Sequence, residues 1–253
     1  MTDVMVLCYH AVSPGWPSPL AVEPDRFEHH LDVLRGKGFE PATFTEAVID
    51  PPAERTVAIT FDDAYRSVFE HAAPLLRSYE MPATVFAPTA LVDREVPMSW
   101  PGIDRWAAGD HSEEVVPMSW RELAQLQAAG WEIGSHTRTH PRLPELGPDE
   151  LREQLAGSRE ECQRNLSAPC RSLAYPYGDY DAGVVEAASE VGYEAAGALM
   201  GRTTLSGPMQ WPRLAVYRGD DRRRFSAKVS RASRMLHTSR VWQLRMVLRK
   251  NRG

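Results

Sequence analysis

The sequence predicts an α/β fold built from parallel βα units and closed as a barrel. Three observations predict it. Seven short apolar runs alternate with helical patterns, the signature of parallel strands joined by crossover helices. Polar, reactive residues cluster at the ends of these runs and not at their starts, and folds of this class carry their chemistry beyond the C-terminal ends of the strands. The chain has 253 residues, 43% hydrophobic and 25% charged, and no linker divides its body. That is large for an ordinary domain but within the range of one α/β barrel. Seven strands suit a barrel better than a small open sheet.

The elements follow in order. VMVLCY (4–9) is an apolar run that reads as a buried strand. A loop rich in Pro and Gly follows, and 24–37 reads as a helix with Phe27, Leu31 and Leu34 on one face, ended by Gly36 and Gly38. Thr45 to Ile49 is a short helix closed by Pro51-Pro52. VAITF (57–61) is the clearest strand, and Asp62-Asp63 follow at once. Residues 66–79 are helical, and ATVFA (83–87) is the next strand. Residues 93–118 are irregular, with Pro97-Met98-Ser99-Trp100 echoed as Pro117-Met118-Ser119-Trp120, too little to signal a repeat protein. Ser119 and Glu122 form a capping box for a helix that stops at Gly130. WEIGSH (131–136) is a strand, 149–166 a long helix, RSLAYPYG (171–178) a strand and turn, 181–191 a helix, EAAGAL (194–199) a strand and RLAVY (213–217) the last.

Composition excludes several classes. No run of about 18 apolar residues exists, so no membrane-spanning helix is expected. MTDVMVLCYH has no basic n-region and no long apolar h-region, so no secretory signal is expected. Cys8, Cys162 and Cys170 cannot all pair and show no CxxC spacing, which favours a reduced, cytoplasmic setting. Charge is asymmetric. All 34 acidic residues lie at or before Asp221, whereas 11 of the 29 basic residues lie after it. The chain therefore divides into a body, 1–221, and a basic extension, 222–253. In that extension Phe225, Val229, Ala232 and Leu236, then Val241, Leu244 and Leu248, recur at helical spacing beside Trp242. Two readings stand: a basic amphipathic helix on an anionic membrane surface at the inner face, or a helix whose first half docks on the acidic body. No recognised nucleic-acid motif accompanies the charge, so no nucleic-acid partner is expected.

Four strand ends carry the candidate chemistry: Tyr9-His10, Asp62-Asp63, His136 and Tyr175 to Gly178. Adjacent carboxylates at a strand end are costly without a cation beside them, and a metal ion supplies one. His136 and His140 lie four residues apart, so in a helical turn both rings reach one ion. Two histidines and one carboxylate form a common catalytic set for zinc-like ions, and the second carboxylate is left as a general base. Alone, each part has an ordinary structural reading: a solvated cap, an incidental pair, a buried histidine, a turn. Their order along successive strand ends makes the functional reading the stronger one.

Thr60-Phe61-Asp62-Asp63-Ala64-Tyr65 resembles the TFDDGY motif of the polysaccharide deacetylases, the NodB-type family 4 carbohydrate esterases. His136-Thr137-Arg138-Thr139-His140 resembles their HTxTHP motif, Ala174 to Gly178 their AYPYG motif, and Val6 to His10 the VLxYH opening of one branch that includes exopolysaccharide de-N-acetylases. The resemblance covers about residues 5–217 in the family's order. It implies a distorted (β/α) barrel of about seven strands and a metal-dependent de-N-acetylase. Carried over residue by residue, it makes Asp62 the general base and Asp63, His136 and His140 the ligands of a divalent ion, Zn first, with Co or Ni as alternatives. It places an oxyanion donor at the backbone of Tyr177, within the Tyr175-Pro176-Tyr177 turn. Three departures stand out. Ala64 replaces the usual Gly, a modest change if its φ is negative. Ala174 replaces the arginine that often opens the third motif, and Arg213, after Pro212, is the candidate to supply that cation; otherwise it is a surface arginine at a strand start. The LxH motif that carries the acid histidine in many members is absent near the end of the body. His237 lies in the tail, so His10 is the candidate acid. Trp120 is a candidate wall for a sugar ring or else an anchor of its helix, and Trp16, Trp100, Trp106 and Trp211 stay open between the same two roles.

The expected substrate is an amino-sugar glycan or a lipid-linked or nucleotide-linked precursor. A deformylase or amidase using the same site, and a sugar-binding protein without turnover, are the competing functions.

Overall fold

The computed structural model describes residues 3–199 and 207–230. Its centre is a ring of seven parallel strands: β1 (Asp3–Tyr9), β2 (Arg55–Phe61), β3 (Thr84–Ala87), β4 (Glu132–Ser135), β5 (Ser172–Ala174), β6 (Ala195–Leu199) and β7 (Trp211–Ala215). Each strand pairs with the next in the sequence, and β7 pairs back to β1, which closes the barrel. The last strand begins two residues earlier than the apolar run suggests, because Trp211 and Pro212 already pair with Gly197 and Ala198. The ring is uneven. β1 pairs with β2 along all of Asp3–Tyr9, whereas β4 and β5 share the single register pair Ser135–Leu173. A further short strand, Glu40–Ala42, extends the lower half of β2.

Strand alternation divides the side chains between two cores. Met5, Leu7 and Tyr9 of β1 and Val57, Ile59 and Phe61 of β2 share a cluster with Phe27, Leu31 and Leu34 of the helix α1 (Pro24–Gly36). The intervening residues Val6 and Ala58 join Phe86, Ala174 and Ala195 in a second cluster inside the ring. Two strand glycines shape that interior. A Cβ on Gly134 would stand 2.7 Å from the Phe86 ring, and one on Gly197 would stand 2.6 Å from Arg213 Nε. Bare backbone at these two points lets a phenyl ring and a guanidinium fill the barrel. At the N-terminal end of the ring, Glu132 accepts hydrogen bonds from the Thr45 backbone N–H and hydroxyl and from Ser172 Oγ. This ties the short helix α2 (Phe44–Ile49) across the bottom.

The outer helices alternate with the strands as expected. The Ser119–Glu122 capping box starts α3 (Trp120–Ala128), and Asp181 caps α4 (Ala182–Val191) through the Val184 N–H. The long helix between β4 and β5 runs from Pro148 to Leu166 but opens into a π turn at Glu153–Gly157. A last helix, α5 (Arg222–Lys228), turns back onto α1. Phe225 and Val229 are buried there, and Phe225 stacks on His30 with ring centroids 3.9 Å apart. The start of the basic extension thus docks on the body. Its remainder, with Ala232, Leu236, His237, Val241, Trp242, Leu244 and Leu248 and the expected membrane contact, lies outside the described residues. Among the described residues, no helix is long and apolar enough to cross a membrane. The three cysteines are buried free thiols.

Candidate active site

The C-terminal ends of the strands open into a cleft of about 340 Å³, lined by His10, Asp62, Asp63, His136, His140, Tyr177, Gly178 and Leu199 on the barrel side. Trp100, Ile103, Arg105 and Trp106, from the 93–118 excursion, line it from outside.

Asp62 and Asp63 leave β2 in different directions because Asp63 and Ala64 have φ of 70° and 52°. Asp62 points back into the barrel. There Arg213 holds it with two parallel bonds, Nη1 to Oδ1 at 2.6 Å and Nη2 to Oδ2 at 2.8 Å. Arg213 is fully buried inside β7 and is not a surface residue. Its Nη1 also donates to Thr60 Oγ1 at 3.1 Å, and Cys8 Sγ donates to Asp62 Oδ2 at 3.4 Å. Burial opposes the charge on Asp62, but the Arg213 guanidinium overrides it and holds the carboxyl well below the usual carboxylate range. Ala64 departs from expectation: its φ is positive, so the methyl sits in left-handed backbone that favours glycine, and it is fully buried.

Asp63 has no such partner. Its Oδ1 is buried without a hydrogen bond among the described residues and lies 3.5 Å from both His136 Nε2 and His140 Nε2. One ligand atom from each of these three residues falls within 4.8 Å of the others. Burial, then the charge of Asp62, pushes the Asp63 carboxyl up to about 8 when no cation is present. His136 donates from Nδ1 to the Ala174 carbonyl at 2.8 Å, which fixes the tautomer and aims the Nε2 lone pair at Asp63. An orphaned buried carboxylate oxygen facing two imidazole nitrogens fits a divalent cation in both charge and donor type. The two rings do not converge through a helical turn. Thr137 and His140 have φ of 65° and 62°, and this left-handed turn brings the ring centroids to 4.8 Å.

His10 lines the cleft with its Nδ1 buried and unpaired among the described residues. Burial lowers its pKa to about 4, although the Asp62 charge works against that. Tyr177 sits at φ 58° with its ring edge-on to His140, centroids 4.6 Å apart. Tyr175 and Pro176 do not reach the cleft. Tyr175 turns outward, bonds the Met209 carbonyl at 2.9 Å and stacks on Tyr180, and Pro176 is buried. Trp120 does not line the cleft either. It opens α3, and its ring packs against two core clusters, because a helix start that must dock between neighbours turns its largest apolar side chain inward. The aromatic wall is Trp100, stacked on His140 at 4.3 Å, together with Trp106. Trp16 is fully buried beneath them. Sequence reasoning gave Cys8 and Thr60 no role. The signal for them was present, since both point inward one alternation before a strand-end residue.

A closed parallel barrel with a buried, metal-capable Asp-His-His group at its C-terminal rim defines the class of protein. Residues 49–196 match the family described as polysaccharide deacetylase, and the chain belongs to that family. Among curated relatives, it is 29% identical over 207 residues to YxkH of Bacillus subtilis (strain 168), covering 80% of this chain and 64% of that one. It is 28% identical over 134 residues to the poly-beta-1,6-N-acetyl-D-glucosamine N-deacetylase of Staphylococcus aureus (strain MRSA252), covering 49% of this chain and 41% of that one. The chain thus spans less than two thirds of the length of both relatives. Among solved structures, the Streptococcus pyogenes deacetylase PplD in complex with acetate superposes with a TM-score of 0.75 at 20% identity, over 90% of this chain and 99% of that one. That likeness is one of fold.

Proposed function

We propose that this chain removes N-acetyl groups from an amino-sugar glycan or a glycan precursor, as a metal-dependent hydrolase of non-peptide carbon–nitrogen bonds. The observation that carries the reading is the division of labour between two adjacent carboxylates. Asp62 is locked to Arg213, and Asp63 turns an oxygen without a hydrogen bond among the described residues toward two imidazoles.

Asp63, His136 and His140 would hold the ion, with Zn the best match to two imidazoles and one carboxylate and with Co or Ni able to take the same donors. A divalent ion bound there supplies Lewis acidity to the scissile carbonyl and to the attacking water. The chain's own groups do the rest. Asp62 takes the proton of the water, and Arg213 and Cys8 fix which carboxylate edge meets it. The backbone N–H at Tyr177 steadies the developing oxyanion. His10 is placed to protonate the leaving amine, which needs its imidazolium form; burial disfavours that form and the neighbouring Asp62 charge favours it. Trp100 and Trp106 offer faces against which a pyranose ring stacks. The relative named for deacetylation of an N-acetylglucosamine polymer supports the substrate class.

The test is acetate release, read by mass spectrometry, from a panel of N-acetylated oligosaccharides, lipid-linked sugars and nucleotide sugars, with formamides and cyclic amides as controls. Acetate from an amino sugar is expected. Turnover confined to the controls would replace this reading with the amidase one. Asp62→Asn should keep the metal and lose about 10² to 10⁴ in turnover; near-parental turnover would remove Asp62 as the base.

A further inference from the structure

The loop His136–His140 carries two of the three metal-capable side chains on backbone that resists its own shape. Residues such as Thr137 and His140, at φ of 65° and 62°, sit in sparsely populated left-handed backbone that persists only where the surroundings over-determine it. His136 has a direct restraint, the Ala174 carbonyl on its Nδ1. His140 has none of that kind: its Nδ1 is buried without a hydrogen-bond partner among the described residues. The direction of the His140 ring is therefore set by the path of its backbone and by the rings packed on it, Trp100 face-on and Tyr177 edge-on.

That backbone rests on one face of the Pro148–Leu166 helix. Gln154 Oε1 accepts hydrogen bonds from the backbone N–H groups of Arg138 and Thr139, both at 3.0 Å, and its Nε2 donates to Thr139 Oγ1 at 2.9 Å. One turn on, Ser158 Oγ accepts from Ser135 Oγ at 2.8 Å, and Ser135 Oγ accepts from the Thr137 N–H at 3.0 Å. Glu161 takes Arg138 Nε at 3.0 Å and Thr89 Oγ1 at 2.5 Å. A Cβ on Gly157 would come within 2.7 Å of Arg138 Cδ, so the Arg138 stem lies against bare helix. Gln154 and Gly157 both belong to the π turn Glu153–Gly157, and such turns within helices are frequent at functional sites.

We propose that Gln154 is a positioning residue for the metal ion. By bonding two successive N–H groups just before His140, it holds the left-handed turn that aims His140 Nε2 at Asp63. This rests on the metal reading given above. Outer partners of metal ligands typically set affinity by 10- to 100-fold. Gln154 acts through backbone on a half-exposed edge, so the low end of that range applies.

The experiment measures Zn²⁺ affinity by competition with a chelating dye, and the melting temperature of the metal-free protein, on the full chain. Gln154→Leu keeps the size and removes both polar atoms. It should weaken Zn²⁺ binding about tenfold, and Gln154→Ala should repeat the loss. Gln154→Glu keeps the acceptor for both N–H groups and should bind Zn²⁺ within about twofold of the parent or more tightly. The metal-free melting temperature should stay close to the parent in all three, because the contacts lie at the surface of a folded barrel. Unchanged affinity in Gln154→Leu, or an equal loss in Gln154→Glu, overturns the proposal. A drop in metal-free stability with parental affinity also overturns it, since that is the mark of a structural role alone. A parent protein that binds no Zn²⁺, Co²⁺ or Ni²⁺ overturns the metal reading itself.

Discussion

Asp62 and Asp63 are neighbours in the chain with opposite electrostatic surroundings. Breaking a buried ion pair by removing one partner costs about 3–5 kcal/mol because a bare charge remains, so Arg213 and Asp62 depend on each other. Asp63 is the reverse case, a buried carboxyl made hard to ionise by burial and by Asp62. A cation removes that difficulty. Asp63→Ala or His136→Ala should therefore strip most bound Zn²⁺ or Co²⁺, read by elemental analysis; full retention in either variant would show that the ion sits elsewhere. Gly197 gives a test at a distance from the cleft. Gly197→Ala places a methyl 2.6 Å from Arg213 Nε, and overpacking of this kind costs about 1–3 kcal/mol. The variant should lose stability in denaturant melts and lose turnover while keeping its metal, because the guanidinium that orients Asp62 must move. Parental turnover would separate Arg213 from the chemistry.

At the scale of elements, α5 and α1 meet around one histidine. His30 is fully buried, with Tyr9 Oη at 3.1 Å from its Nδ1, the Asp220 carbonyl at 2.7 Å from its Nε2 and Phe225 stacked on its ring. Burial lowers its pKa to about 4, from about 6.5 when unfolded. The folded state thus keeps His30 neutral, and between pH 6.5 and 4 the unfolded chain binds the extra proton. Stability from this group is complete above about pH 6.5 and declines as pH falls to about 4, by about 3 kcal/mol in all. His10, at about 4, adds a loss of the same sign. His30→Gln isolates the contribution. Its unfolding free energy should fall less steeply across this window, by up to about 1.4 kcal/mol per pH unit, measured by denaturant titration of the metal-free protein. An unchanged slope would mean that His30 is already accessible to protons in the fold.

For the whole molecule, the ring closes by pairing its first strand with its last, and α5 then covers the helix that follows the first strand. Phe225 and Val229 are the apolar part of that cover, and Lys228 adds an ion pair to Asp220 at 2.5 Å. A chain ending at Asp221 should melt well below the parent, since losing a buried phenyl group alone costs about 3–5 kcal/mol. A chain ending at Ser230, which keeps that helix, should melt well above the one ending at Asp221. Equal melting of both would show that the docked helix adds nothing to the barrel.

The sequence by itself determined the alternation of strands and helices, the strand ends that bear Asp62-Asp63, His10 and His136, and the pairing of His136 with His140. These features are local: apolar runs, caps and short spacings survive in a linear reading because each depends on near neighbours. Tertiary structure alone decided what meets across the barrel. Arg213 reaches Asp62 from 151 residues away, through a ring closure and a register that no local pattern encodes. The same closure put Cys8 and Thr60 under the carboxylate, chose Trp100 and Trp106 over Trp120 as the wall of the cleft, and turned Tyr175 outward. The positive φ at Asp63, Ala64, Thr137 and His140 was equally invisible in the sequence. Non-glycine residues enter left-handed backbone only when surrounding contacts compel them, and those contacts exist only once the chain is folded.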